Sequence, residues 1–195
     1  MEGTEASARW HGTRVRLLAG DITQVSVDAV VNAANSALAG GGGVDGAIHA
    51  AAGPSVMAEL RERHEGCPTG SAVITGAGTL PARHIVHAVG PISRGGGRDE
   101  AALLRGAYSA SLDRVAEAGD RTVAFAAISC GIYGYPLDLA AHESVTAVRE
   151  WLGAHPDSGI EDIAWVLRGP DVMAAFRGAL ARNQPREAGF EDSKH

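Results

Sequence analysis

The sequence predicts an α/β protein, built as a three-layer α/β/α sandwich with a central mixed sheet. Short runs rich in β-branched residues alternate with segments whose apolar residues recur at helical spacing. Residues 123–128 are continuously apolar, as in a strand that helices cover on both faces. Aromatic residues make up only 5% of the chain, and glycine, alanine and valine abound, which favours close helix-on-sheet packing.

Six segments are predicted to be the strands of this sheet. Each is short, contains β-branched residues and is bounded by glycine, proline or polar residues. In chain order they are residues 13–18, 27–32, 71–75, 84–89, 122–128 and 160–167.

Helices are predicted between these strands. Residues 45–64 are expected to form two helical pieces, because Pro54 cannot continue a helix cleanly but can begin a new one. Helical spacing of apolar residues also surrounds Leu104 and Val145. The last helix is predicted over residues 170–182.

The 195 residues are the length of one domain, because a single core usually takes about 100–200 residues. Residues 1–12 and 184–195 are polar and lack periodicity, so both are predicted to be flexible tails. A single domain is therefore expected over residues 13–183, and a monomer is expected for one compact domain with polar tails.

Charge and cysteine content exclude several classes of function. The formal net charge of −6 argues against broad nucleic-acid binding, which depends on Lys and Arg. Cys67 and Cys130 have neither CxxC spacing nor histidine partners, so reduced thiols and no metal are expected. No apolar run approaches the roughly 20 residues that span a bilayer. The start also lacks the hydrophobic segment of a signal peptide, so a cytoplasmic protein with no membrane partner is predicted.

An unbroken glycine run, residues 40–43, stands directly before Val44, Asp45 and an apolar helical segment. Without side chains, the backbone N–H groups of Gly41, Gly42 and Gly43 can approach an anion closely. The run is neither a Walker loop nor a dinucleotide fingerprint. It indicates either a phosphate cradle or a plain flexible turn.

A second glycine-punctuated loop follows the most apolar predicted strand. Its residues are Ser129, Cys130, Gly131, Ile132, Tyr133 and Gly134. Ligands of open α/β sheets bind at the carboxyl ends of strands, which is where this loop would lie. Two such loops can close on a pyrophosphate and supply the neutral donors that an acidic protein needs.

Asp21, Asn35 and Asp45 are candidate functional groups near the first loop, and each has a structural alternative. Asp21 is also placed to cap a short helical turn. Asn32 and Asn35 are also typical of loop residues that bond their own backbone. Asp45 is also a candidate helix N-cap.

Taken together, these segments resemble the macrodomain family, and within it the hydrolytic MacroD-type branch. The resemblance covers nearly the whole domain and is carried by four blocks: residues 20–23 (GDIT), 27–36 (VDAVVNAANS), 40–49 (GGGGVDGAIH) and 129–136 (SCGIYGYP).

The resemblance implies that the protein binds ADP-ribose and needs no cofactor. Asp21 would accept a hydrogen bond from the adenine amino group, and the backbone of Ile22 would contact the base. Asn35 would hold the distal ribose, and Tyr133 would pack against it. The residues that would wrap the diphosphate are Gly41, Gly42, Gly43, Val44, Ser129, Cys130, Gly131, Ile132 and Tyr133.

The implied activity is hydrolysis of the ester between ADP-ribose and an acidic side chain or an acetyl group. Asp45 would orient the water, with a ligand phosphate oxygen sharing its proton, because an ionised aspartate is a weak base. His49 stands one helical turn after Asp45 and is either an assisting group or a packing residue. The implied partners are ADP-ribosylated proteins or nucleic acids.

Two alternatives to hydrolysis of esters stay open, namely a reader module that binds ADP-ribose without turnover and a phosphatase acting on phosphorylated ADP-ribose. The chain also departs from the family at Arg168, where relatives often supply an aromatic residue that stacks on adenine. Arg168 would either stack on the base itself or point to solvent.

Overall fold

The computed structural model describes residues 4–184, which form a seven-stranded sheet between two layers of helices. The strands are β1 (Thr4–Trp10), β2 (Thr13–Ala19), β3 (Ala29–Ala33), β4 (Ala72–Gly76), β5 (His84–Ala88), β6 (Thr122–Phe125) and β7 (Asp162–Leu167). The helices are α1 (Gly43–Ala52), α2 (Pro54–Arg63), α3 (Glu100–Glu117), α4 (Leu137–Ala154) and α5 (Pro170–Arg182), and a 3-10 turn spans Ile22–Gln24. Among the described residues, no helix is long and apolar enough to cross a membrane.

The strands are arranged in the order β1-β2-β7-β6-β3-β5-β4. The inner strands from β2 to β5 are parallel to one another. β1 and β4 pair antiparallel at the two edges. The sheet is therefore mixed, as predicted.

Two apolar cores lie on opposite faces of this sheet. Val30 faces α1 and α2 and packs in one core with Ile48 and Leu60. Its neighbour Val31 faces α3, α4 and α5 and packs in the other core with Tyr108. Successive side chains of a strand point to opposite faces of the sheet. Helices cover both faces here, so both valines are fully buried. The predicted three-layer sandwich is thus confirmed, and so is the break between α1 and α2 at Pro54.

The prediction of a flexible N-terminal tail is wrong for residues 4–10, which form β1 and pair with β2. The strand is held by burial of alternate residues, with Ala8 8% and Trp10 2% exposed. The segment is ordered because it pairs with β2 and because Trp10 packs against the core. The local sequence pattern does not show either contact. The other predicted tail, residues 184–195, lies outside the described residues except for Gln184.

Trp10→Ala is expected to lower the free energy of unfolding by about 3–5 kcal/mol, the usual cost of removing a buried aromatic ring. Urea denaturation followed by circular dichroism measures the change. Ser7→Ala is the matched control, because Ser7 lies on the same strand and is exposed. Equal stability of Trp10→Ala and wild type would contradict the anchoring of β1.

The connections after β3 and β6 create a crevice. These two strands are parallel neighbours in the sheet. After β3 the chain continues to α1 on one face, whereas after β6 it continues to α4 on the other. The two loops therefore diverge at the carboxyl ends of the strands, which is where open α/β sheets bind ligands.

Candidate active site

Two adjoining cavities open at this crevice. The first, the Asp45 cavity, measures about 290 Å³. The second, the Asp21 cavity, measures about 460 Å³. Gly43, Val44 and Gly131 line both, so the cavities meet.

All of the site residues predicted from the sequence line one or both of these cavities. The Asp45 cavity is lined by Asn35, Gly41, Gly42, Gly43, Val44, Asp45, Ser129, Gly131, Ile132 and Tyr133. The Asp21 cavity adds Asp21, Ile22 and Cys130, together with Arg168. The structure thus brings together residues from four separate parts of the chain.

The glycine run ends in the first turn of α1. The helix begins at Gly43, and its N-cap Gly42 provides no side chain to bond the first N–H groups. These uncapped donors and the positive end of the helix dipole favour an anion at the cavity wall. The run also touches α1 itself, because a Cβ at Gly46 would lie 2.5 Å from the Gly41 carbonyl oxygen.

The second loop turns sharply at Ser129, which has a φ of 65°. Its hydroxyl is buried and has no hydrogen-bond partner among the described residues. A Cβ at Gly90 would lie 2.2 Å from the Ser129 Oγ atom, so only glycine fits there. Sequence reasoning missed Gly90, although a glycine directly after a predicted strand is a signal of close backbone approach.

The rest of this loop forms the outer wall of the Asp45 cavity. Ile132 is 81% exposed at the rim, opposite Gly42. Tyr133 lies closer to the centre, where burial and then the negative charge of Asp45 raise the pKa of its phenol. Burial raises the pKa of the Cys130 thiol to about 12, so this thiol is uncharged at neutral pH.

Asp45 lies in the first turn of α1, and the interpretation of this residue as the N-cap is wrong, since Gly42 holds that position. Its carboxylate is buried, and Oδ1 accepts a hydrogen bond of 2.6 Å from Asn32 Nδ2. His49 Nε2 lies 3.4 Å from the same oxygen. Oδ2 is directed toward Gly41, where a Cβ would lie 3.1 Å away.

The charge of Asp45 depends on these contacts. Burial acts to raise the pKa of Asp45, but the hydrogen bonds from His49 and Asn32 outweigh it. The pKa therefore lies below its ordinary value, and the carboxylate is ionised at neutral pH.

Asn35 braces the first loop. Its Nδ2 donates to the Gly40 carbonyl at 2.8 Å, and its Oδ1 accepts from the Ala39 N–H at 3.3 Å. Asn35 therefore bonds its own loop, which is the structural alternative to a functional role for this residue. Asn32, which the sequence also allows to bond its own loop, instead bonds Asp45 on α1.

Asp21 caps the 3-10 turn and also contacts Arg168. Its Oδ1 accepts from the Thr23 N–H at 3.0 Å, the cap considered from the sequence. Arg168 Nη2 donates to Oδ2 at 2.7 Å. The Thr23 hydrogen bonds are the main cause that lowers the pKa of Asp21, and Arg168 adds to the effect. The guanidinium is 71% exposed, so this ion pair is a weak one.

Sequence reasoning missed the polar partners beneath Asp45. Asn32, His87 and Thr75 are all buried in strands. A polar residue within an apolar strand is the sequence signal for such partners, because burying a polar group costs free energy unless the group is hydrogen-bonded. His84 and His87 face opposite sides of β5, since His84 bonds Asp120 whereas His87 bonds Thr75. No group of three potential metal ligands occurs within residues 4–184.

Comparison with known proteins agrees with this geometry. Residues 31–143 match the model of the Macro domain family. The O-acetyl-ADP-ribose deacetylase of Escherichia coli K12 is 52% identical over 146 residues, which cover 73% of this chain and 82% of the relative. A macro domain-containing protein of Ralstonia nicotianae is 57% identical over 166 residues, covering 85% and 94% of the two chains.

Solved structures resemble the fold closely. The Oceanobacillus iheyensis macrodomain with ADP superposes with a TM-score of 0.85 at 32% identity, covering 93% of this chain and 97% of that one. The Trypanosoma brucei macrodomain in complex with ADP-ribose gives a TM-score of 0.75 at 34% identity, covering 85% and 68%.

Proposed function

Because the chain belongs to the macrodomain family, we propose that it binds ADP-ribose and hydrolyses its carboxylic esters. The substrates are O-acetyl-ADP-ribose and proteins that carry ADP-ribose on an acidic side chain. Relatives that are named O-acetyl-ADP-ribose deacetylase are about half identical to this chain, and solved relatives hold ADP or ADP-ribose.

The two cavities suit the two ends of this ligand. Adenine enters the Asp21 cavity, where Asp21 accepts from its amino group and the backbone of Ile22 contacts the ring. The diphosphate lies along the shared wall, between the uncapped start of α1 and the second loop. The distal ribose reaches the Asp45 cavity, where Asn35 and Tyr133 hold it.

The observation that carries catalysis is the arrangement of the Asp45 carboxylate. Asn32 holds Oδ1, whereas Oδ2 has no hydrogen bond from a described residue and lies beside Gly41 at the cavity wall. An ionised oxygen in this position accepts a hydrogen bond from a water and orients it toward the ester. A low pKa makes Asp45 a weak base, so a ligand phosphate oxygen takes part of the proton that the water loses. The main contribution of Asp45 is to orient this water, which lowers the barrier.

The overall reaction is a simple hydrolysis. For a protein ester, water supplies a hydroxyl to C1″ of the ribose, the bond from C1″ to the carboxylate oxygen breaks, and the remaining proton goes to the solvent or the released acid. For the acetyl ester, the hydroxyl goes to the acyl carbon and the proton to the ribose oxygen. Both reactions need the same ADP-ribose site and the same positioned water.

The test is product analysis with the wild-type protein, which is incubated separately with O-acetyl-ADP-ribose, a glutamate-linked mono-ADP-ribosylated protein and ADP-ribose 1″-phosphate. Chromatography measures ADP-ribose and acetate, a colorimetric assay measures phosphate, and calorimetry measures the Kd for ADP-ribose. Release of ADP-ribose from either ester supports the proposal. Binding without ester cleavage would establish a reader module, and release of phosphate alone would establish a phosphatase.

Arg168→Ala is expected to weaken ADP-ribose binding about twofold to fivefold, the effect of losing an exposed cation–π contact of about 0.5–1 kcal/mol with the base. Arg61→Ala is the matched control, because it removes the same charge from an exposed position outside both cavities. Calorimetry at two salt concentrations separates stacking from long-range attraction. Unchanged affinity in Arg168→Ala would show that this side chain points to solvent in the complex.

We further propose that ADP-ribosylated proteins are the main acceptors and that the protein acts as a monomer in the cytoplasm. ADP-ribosylated nucleic acid is a second class of acceptor, limited by the net charge of −6. Size-exclusion chromatography with light scattering tests the monomer.

A further inference from the structure

A row of buried polar side chains crosses the sheet beneath the Asp45 cavity, and only its last member, Asn32, enters the proposed mechanism. It consists of Thr75 on β4, His87 on β5 and Asn32 on β3, which are 1%, 0% and 0% exposed. Asn32 and His87 are paired residues of neighbouring parallel strands. All three lie on the face of the sheet that α1 and α2 cover, and the row ends at the Asp45 carboxylate.

The hydrogen bonds of this row have a defined direction. Asn32 turns its amide nitrogen, which can only donate, to both the Asp45 carboxylate and His87 Nδ1, so Nδ1 accepts and the ring proton lies on Nε2. Thr75 Oγ1 lies 3.0 Å from Nε2 and accepts that proton, while its own hydrogen goes to the Gly76 carbonyl at 3.0 Å. Asn32 Nδ2 lies 3.4 Å from His87 Nδ1 and 2.6 Å from Asp45 Oδ1, so its two hydrogens go to the two acceptors.

His87 stays neutral at ordinary pH. Burial lowers its pKa to about 3, and the nearby His49 and His64 oppose the attraction of Asp45. A neutral ring with one donor and one acceptor nitrogen is what the row requires, since a protonated Nδ1 would face the amide hydrogens of Asn32.

The orientation of the Asn32 amide rests on these nitrogen bonds. Its Oδ1 atom is buried and has no partner among the described residues. Rotating the amide by half a turn would place this oxygen against the Asp45 carboxylate and the His87 lone pair, which are both acceptors. His87 and Asp45 together thus determine which way the amide faces.

We infer that Thr75 and His87 are positioning residues for catalysis: through Asn32, their hydrogen bonds hold Oδ1 of Asp45 and leave Oδ2 turned to the cavity. Thr75 fixes the proton on His87 Nε2. His87 then fixes the amide of Asn32, and Asn32 fixes the carboxylate. The inference rests on the proposed function, because it assigns this row to the orientation of the hydrolytic water.

The main test is Thr75→Val, which keeps the shape of the side chain and removes the acceptor of the His87 proton. His87 is then free to move its proton to Nδ1, which repels the amide hydrogens of Asn32. We expect kcat to fall about tenfold or more, with KM and the Kd for ADP-ribose within about twofold of wild type. Thr75→Ser keeps the hydroxyl and is expected to restore most of kcat.

Thr13→Val is the matched control for lost stability. Thr13 is likewise a buried strand threonine, and its hydroxyl donates to the Ile160 carbonyl at 2.8 Å near the opposite end of the sheet. This variant is expected to be destabilised without loss of kcat. Unchanged kcat in Thr75→Val, or a loss that appears only in KM, would overturn the positioning role.

His87→Phe provides a second variant that keeps a ring and removes both nitrogens. Without the acceptor at Nδ1, Asn32 is less firmly directed toward Asp45, so the pKa of Asp45 should rise. The acid limb of kcat/KM should move to higher pH in this variant. The titratable groups that face Asp45 are His49, His87 and Tyr133, and His64 also acts on His87. His49 itself lowers the pKa of Asp45. His49→Gln is therefore the companion variant, which measures how much His49 contributes to that pKa.

A spectroscopic measurement separates failure of this inference from failure of the proposed function. In protein with labelled histidine, nitrogen NMR should show His87 protonated on Nε2 alone, with the pattern changed in Thr75→Val. Carbon NMR should show a higher Asp45 pKa in both variants. If wild type cleaves no ester but the tautomer pattern of His87 and the pKa of Asp45 change as expected in the variants, the hydrogen-bonded row is supported and the hydrolase assignment fails. If neither the tautomer pattern nor the pKa of Asp45 changes in the variants, the inference is wrong whatever the activity of the protein.

Discussion

Asp45→Asn is expected to lower kcat for ester hydrolysis by about a hundredfold or more while the Kd for ADP-ribose stays within about threefold. The asparagine can still accept the hydrogen bond from Asn32 through Oδ1, so the fold and the first turn of α1 should persist. At the position of Oδ2, however, the amide presents hydrogens instead of a charged acceptor. A water there would lose the group that orients it.

Single-turnover kinetics on a glutamate-linked substrate measures the chemical step directly, and calorimetry measures binding. Asp138→Asn is the matched control, because Asp138 also lies in the first turn of a helix, is exposed and lines neither cavity. It removes the same charge without touching the site. A turnover in Asp45→Asn near that of wild type would exclude Asp45 as the group that orients water.

Gly46→Ala is expected to weaken ADP-ribose binding more than about tenfold and to lower the free energy of unfolding by about 1–3 kcal/mol. In a helix interior this substitution ordinarily stabilises by about 0.5–1 kcal/mol. Here the added methyl group would lie 2.5 Å from the Gly41 carbonyl oxygen, and the backbone cannot yield without moving the glycine run. The donors at the start of α1 would then lose their places around the diphosphate.

Gly178→Ala is the control for the helix-propensity effect. Gly178 lies inside α5, and an added Cβ would meet only the end of the flexible Arg182 side chain at 3.3 Å. This variant should unfold at the same or a higher urea concentration than wild type and should bind ADP-ribose normally. If Gly46→Ala also keeps normal stability and normal ADP-ribose binding, the close packing of α1 against the glycine run is not needed to form the binding site.

The fold was largely predictable because its elements have strong local signals. The predicted strand at residues 27–32 is buried on both faces, and the turn between α1 and α2 follows from Pro54. The predicted strand at 122–128 ends at Phe125, because the chain then leaves the sheet to form the second loop. β1 escaped prediction because its order comes from pairing with β2 and from burial of Trp10.

The loop residues that the resemblance indicates lie together around the two cavities. What the sequence did not predict is the set of bonds among them. Asn32 lies in an apolar strand, and its partner Asp45 is 13 positions away on a different layer. The ion pair of Asp21 with Arg168 spans 147 positions. Such contacts depend on which strands become neighbours, and no local pattern encodes that.

The place of β7 in the sheet has a consequence for synthesis on the ribosome. β2 pairs with β1 on one side and with β7 on the other, so its second partner begins only at Asp162. Until that part of the chain has emerged, the N-terminal hairpin carries an open edge, and the central strands lack the neighbour that joins them to it. Folding should therefore be slow, as in other proteins with non-local strand pairing, and the sheet cannot be completed before β7 is available. A nascent chain stalled before residue 162 would expose this edge to unwanted strand pairing.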